Sequence, residues 1–134
     1  MILVDTNVWS EASKPNGSRK VLRWMADNRR DLWLSTIVVA EICAGIENPA
    51  AAPKRERLDR WLTKLEAANL QRTLPFDKLA ARVLGKLLIE KPQQDKMLDS
   101  LLAAQALSRD CPIATRNGKD FAWTGVKLIN PWEA

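Results

Sequence analysis

Asp5, Glu41, Asp99 and Asp120 are the residues of this chain best placed to do chemistry, and histidine is absent from the sequence. Without imidazole, Ser-His-Asp and Cys-His mechanisms and imidazole-ligated zinc are excluded. Acid–base work then falls to carboxylates, lysine or the water of a bound metal. Asp5 follows the apolar run Ile2-Leu3-Val4 directly and precedes Thr6 and Asn7. Glu41 is the single charge in residues 37–45, where a carboxylate is costly unless solvated, paired or metal-bound. Asp99 shares a helical face with the small Ala103 and Ala106, which permit close packing and close access. Asp120 lies with Thr115 and Asn117 in a polar stretch past another short apolar run. Asp95, one turn before Asp99, is a further candidate. Each acid also has a purely structural explanation. Asp5 is a good helix N-cap, Glu41 can face solvent, a helix dipole favours Asp99 in a first turn, and Asn117 and Asp120 suit a turn. If the acids share one crevice, their mutual repulsion raises their pKa values unless a cation neutralises them. An oxygen-only ligand set of this kind selects Mg²⁺ or Mn²⁺.

The surrounding pattern predicts elements that bring the acids together. Residues 2–4, 32–34, 112–115 and 126–129 are short apolar runs of the kind that form buried strands, and residues 70–76 are a weaker case. Between them lie helical patterns. Ser18 caps one carrying Val21, Trp24 and Met25, and Ser35 or Thr36 caps one over residues 37–45. Residues 54–68 carry Leu58, Trp61, Leu62 and Leu65 on one stripe. Asp77 caps a helix that Pro92 stops, and residues 97–107 form the next. Strands alternating with helices predict an α/β fold, an open and mostly parallel sheet with helices on both faces. Ligands bind such sheets outside the carboxyl ends of the strands, where Asp5 and Asp120 would lie. Glu41 and Asp99 would stand near helix starts at the same edge.

The chain's 134 residues predict one domain, residues 1–134, with a real core. A net charge of +5 suits a polyanionic partner. Arg19, Lys20, Arg23, Arg29 and Arg30 form either an ordinary solvated face or a phosphate-attracting rim. No apolar run reaches the ~18 residues of a membrane span, and the first one is too short for a signal peptide. A cytoplasmic protein without membrane contact is the expectation. Cys43 and Cys111 lack metal-type spacing and sit among apolar neighbours, which reads as buried thiols rather than a disulfide.

Taken in order, Ile2-Leu3-Val4-Asp5-Thr6-Asn7, Ser35-Thr36 with Ala40-Glu41, residues 98–104, and Ala114-Thr115-Arg116-Asn117 with Asp120-Phe121 resemble the PIN domain. More narrowly, the chain is similar to VapC-type toxin ribonucleases of toxin–antitoxin pairs, and Asn130-Pro131-Trp132 resembles their FitB-like branch. The resemblance runs nearly end to end and implies a PIN-like fold with Asp5, Glu41, Asp99 and Asp120 as the acidic constellation. Asn7, Thr115 and Asn117 would support them. Asp5 and Asp99 would hold Mg²⁺ or Mn²⁺, directly or through water, and the ion's water would attack an RNA phosphodiester. The implied partners are an antitoxin, an RNA substrate and a second copy of the chain, with operator DNA reached only through the antitoxin complex. Six tryptophans, Trp9, Trp24 and Trp61 among them, are more aromatic surface than one core readily hides, although core packing would also use them. The alternative from another class is a nucleic-acid-binding module that acts with an antitoxin as a repressor; four intact acids speak against it. A phosphoryl-accepting Asp5 would want a second Asp where Asn7 stands.

Overall fold

The computed structural model describes residues 1–90 and 96–134. At its centre five strands pair in the order β3-β2-β1-β4-β5, every pairing parallel. The strands are β1 (Ile2–Val4), β2 (Leu32–Ser35), β3 (Thr73–Leu74), β4 (Ile113–Ala114) and β5 (Leu128–Ile129). Among the described residues, seven α-helices flank them: α1 (Thr6–Glu11), α2 (Arg19–Asp27), α3 (Thr36–Glu47), α4 (Arg55–Ala68), α5 (Lys78–Glu90), α6 (Met97–Ser108) and α7 (Gly118–Phe121). This is the α/β architecture expected of the sequence.

The central strands are apolar because they are covered on both faces. Leu3, Val4, Leu34, Ile113 and Ala114 are completely buried, and burying such an aliphatic side chain stabilises the fold by about 1.5–3 kcal/mol relative to leaving it exposed. The polar residues that remain inside are bonded. Ser35 caps α3 through Ile37 N–H at 3.0 Å and also donates to Gln105, whose Nε2 donates to Leu74 O at 3.2 Å. Gln105 of α6 thus ties β2 to β3 at their carboxyl ends. Asp77 accepts from Ala80 N–H at 3.0 Å and Ser18 from Val21 N–H at 3.3 Å, the two caps expected for α5 and α2.

The connectivity sets the position of the crevice. The chain winds from β1 to β2 and β3 on one side, then returns to place β4 and β5 on the other. The switch point lies between β1 and β4, and ligands of doubly wound sheets bind there, outside the carboxyl ends. Asp5 follows β1 and Thr115 follows β4, so they flank that opening.

Some expectations change. The stretch 70–76 supplies only a two-residue strand, because Leu70–Arg72 forms a 3-10 turn in which Arg72 Nε donates to Leu32 O at 3.2 Å. Cys111 is buried, but Cys43 is exposed. The outward stripe of α3 carries Ala40, Cys43 and Ala44, small residues that hydrophobicity alone does not mark as a surface. No tryptophan stands out on the surface. Trp9 is buried, and the other five pack half-buried against the core. The large exposed apolar side chains are instead aliphatic, with Leu70, Leu79 and Ile89 the most exposed.

Candidate active site

Asp5 is both the N-cap and a residue of the crevice. Its Oδ1 accepts Thr6 N–H at 2.8 Å, which starts α1. Its Oδ2 accepts the Thr115 hydroxyl at 2.8 Å and Asn7 Nδ2 at 3.2 Å. The Thr115 hydroxyl uses all its capacity. It donates to Asp5 and accepts from Asn117 N–H at 3.0 Å and Asn7 Nδ2 at 3.3 Å. Asn7 Oδ1 in turn accepts Arg116 N–H at 3.1 Å. Asn7 therefore staples the end of β4 to the end of β1. Asn117 joins through its backbone, and the residue itself is exposed.

The other acids approach this centre from three helices. Glu41 lies in the second turn of α3, Asp99 in the first turn of α6 and Asp120 in α7, all half-buried. Asp120 is not the loop residue its polar surroundings suggested. It lies in a short helix and pairs with Lys96 Nζ at 2.9 Å. Sequence reasoning missed Lys96; its place three residues before Asp99 was the available signal. Asp95 lies outside the described residues.

The electrostatics record the crowding. Burial, and then the charges of Asp5, Asp120 and Glu41, push the Asp99 carboxyl up to about 6, with Lys96 acting against them. Burial also raises Asp5, and Glu41 adds to that, while the hydrogen bonds from Thr115, Thr6 and Asn7 oppose it. Thus Asp99 feels the charges of the other three acids, and Asp5 feels that of Glu41. Among the described residues, however, no three acidic side chains stand close enough to ligate one ion directly. A hard cation that keeps part of its water shell still fits this oxygen-only set, since Mg²⁺ binds through one or two carboxylates plus waters.

Glu11 is a buried carboxylate that the sequence reading did not single out. It accepts Ser18 N–H at 2.8 Å and Lys14 Nζ at 3.1 Å, and the first of these chiefly holds its pKa low. Gly17 lets that loop close, since a Cβ there would come within 2.3 Å of Glu11 O. The loop's job is structural: it seats α2 against α1.

A model of the PIN domain matches residues 2–126. The chain belongs to the PIN domain family. Within it, the chain is similar to the VapC ribonuclease Y4jK of Sinorhizobium fredii, 37% identical over 141 residues that cover 99% of both proteins. It is 32% identical to Toxin FitB of Neisseria gonorrhoeae over 98% of this chain and 99% of that protein. Its fold superposes on the crystal structure of FitAcB from Neisseria gonorrhoeae with a TM-score of 0.86 at 29% identity, covering all of both chains. The PIN fold, the parallel sheet and the VapC/FitB kinship are thereby those the sequence motifs imply.

Asn7 offers a graded test within this PIN domain. Asn7→Ala removes the staple between Asp5, Thr115 and Arg116 but no acid. An outer partner of this kind is worth about 10–100-fold, so nuclease activity should fall by that factor in kcat/KM with the melting temperature nearly kept. A loss as complete as that of Asp5→Asn would make Asn7 a direct ligand instead.

Proposed function

We propose that this chain is a divalent-metal-dependent endoribonuclease and the toxin of a toxin–antitoxin pair, acting in the cytoplasm as one PIN-like unit over residues 1–134. The observation that carries the reading is Asp5 held by Thr115 and Asn7 at the switch point of the sheet, with the half-buried Asp99 close enough to feel its charge and those of Asp120 and Glu41. Asp5 and Asp99 are the residues that would hold Mg²⁺ or Mn²⁺, with Glu41 and Asp120 orienting its shell. When bound, the ion supplies an activated water and offsets charge on the phosphorane-like transition state. The chain's own residues do the rest. Thr115 and Asn7 fix the Asp5 carboxylate by hydrogen bonds to Oδ2. Lys96 balances Asp120 and lowers the repulsion that an RNA phosphate meets on entering. Four acids are of little use to a module that only binds nucleic acid, which is why the repressor reading ranks second.

The partner reading rests on the relatives' complexes and on a groove of about 290 Å³ between α1, α2 and α4. Trp9, Ala12, Met25 and Leu65 line it, with Arg29 and Arg72 at its edge. An antitoxin's apolar tail would fill the groove. Operator DNA is reached through the antitoxin complex. Exposed Leu79 and Ile89 on α5 and Leu98 on α6 suit a homodimer; sedimentation at tens of micromolar should give a dimer, and a strict monomer would exclude it.

Expression in a bacterium tests the whole reading. The wild-type chain should arrest growth, the Asp5→Asn chain should not, and the product of an adjacent small reading frame should relieve the arrest. Equal growth with both chains would count against a toxin.

A further inference from the structure

Beside the acidic centre, at the carboxyl ends of β4 and β5, lies a second and polar cavity of about 460 Å³. Leu128 and Ile129 line its apolar side, and Arg116, Lys119, Asn130 and Glu133 supply two cations, an amide and a carboxylate. Its volume falls in the ~300–1,000 Å³ range of small-ligand pockets. The acids of the site are not what defines it, and none of the roles assigned above uses it.

Two features make it more than a basic surface. The first is registration. Thr115 lines this cavity and also donates to Asp5, and the Arg116 N–H is held by Asn7, which bonds Asp5 too. The cavity is thus fixed relative to Asp5 by hydrogen bonds that pass through single residues. The second is the preset guanidinium. Arg116 is exposed, yet its guanidinium carbon lies 4.9 Å from the centroid of the Trp132 indole. Trp132 is half-buried against the core, and its backbone N–H, not its indole, donates to Asn130 Oδ1 at 2.9 Å. A planar cation resting on an anchored indole loses little entropy when a second ring stacks on it. Nucleobases stack on arginine planes as they do on aromatic rings.

We propose that this cavity is a nucleotide subsite that takes the nucleoside flanking the scissile phosphate. The base stacks on the Arg116–Trp132 platform, Lys119 attracts the adjoining backbone phosphate, and Asn130 and Glu133 meet the base edge. The inference rests on the ribonuclease reading and adds to it where the substrate strand runs.

Binding is best measured in the Asp5→Asn protein, with a fluorescein-labelled single-stranded RNA of about twelve mixed nucleotides followed by anisotropy. Arg116→Ala should weaken binding about 10-fold, the order of one lost base stack. Arg116→Lys keeps the charge but not the plane and should recover less than half of that loss on a logarithmic scale. Trp132→Ala, which frees the guanidinium, should behave like Arg116→Lys, with circular dichroism used to confirm folding. Arg60→Ala, on the exposed face of α4 where Arg60 pairs with Glu56, should bind as the parent does. Full affinity in Arg116→Lys would reduce the platform to a charge and overturn the proposal. So would an unchanged KM for RNA cleavage in Arg116→Ala made in the active protein, with the ribonuclease reading left standing. If the active protein neither cleaves nor binds any RNA, the ribonuclease reading falls and the subsite falls with it.

Discussion

Asp5→Asn and Asp99→Asn should each abolish RNA cleavage, by at least about 10²–10³-fold in kcat/KM, the scale on which removal of one charge-stabilising group acts. The fold survives both changes for different reasons. Asparagine at position 5 keeps an oxygen for Thr6 N–H, so the cap of α1 persists. What it loses is the charge and the second oxygen, which accepts from both Thr115 and Asn7. Asp99 starts from the opposite condition: it is crowded by like charge, and neutralising it relieves the crevice. A stable protein with no cleavage is therefore expected from both, though Asp5→Asn gives up a good hydrogen-bonded network and Asp99→Asn removes a charge that burial and its acidic neighbours disfavour and only Lys96 favours. Cleavage of a labelled RNA and a thermal melt on the same samples check this. Normal cleavage by either variant would remove that residue from the site.

The parts of this protein that could be read from its sequence are those fixed by local pattern. Leu3-Val4 and Ile113-Ala114 announce buried parallel strands because both faces are covered, and Ser18, Ser35 and Asp77 cap the helices they precede. Placing Asp5 at a strand end followed from the first of these. Other features depend on distant partners and could not be read so. Asn7 contacts Thr115 and Arg116 from more than a hundred residues away in sequence, and Gln105 links two strands from the middle of α6. The Lys96–Asp120 pair is of the same kind. Tryptophan counting misled because large rings were packed half-buried around a small sheet, while the exposed apolar surface went to leucine and isoleucine on α5. Cys43 misled for a related reason. A stripe of Ala40, Cys43 and Ala44 is apolar enough to look internal and small enough to be left outside.

The metal dependence of stability has a sign that follows from Asp99. Its carboxyl ordinarily titrates near 3.8 and is pushed up to about 6 in the folded chain. Between those values the folded state binds the proton more tightly than the unfolded state does. In chelator, stability therefore falls as pH rises from about 4 to about 6, and stays low above that. Asp5 is shifted in the same direction and adds to the effect. Asp99→Asn has no such proton to lose. It should match the wild type near pH 4 and exceed it above pH 6 by about 1–2 kcal/mol, solvent screening at a half-buried carboxyl holding the gain below the full shift. Adding Mg²⁺ or Mn²⁺ should reverse the order. A ligand that binds only the folded state contributes about 2.7 kcal/mol at a hundred times its Kd, and its carboxylate ligands are available only once deprotonated. The wild type should then gain most near neutral pH, and Asp99→Asn should gain little. Chelation should stop cleavage without unfolding the chain, because the core is aliphatic sheet and helix rather than a metal staple. Melts from pH 4 to 8, with chelator and with each ion, test the sign. A wild type as stable as Asp99→Asn at pH 8 in chelator would show that the acids do not crowd one another, and full RNA cleavage after exhaustive metal removal would leave a chain without histidine in need of another catalyst.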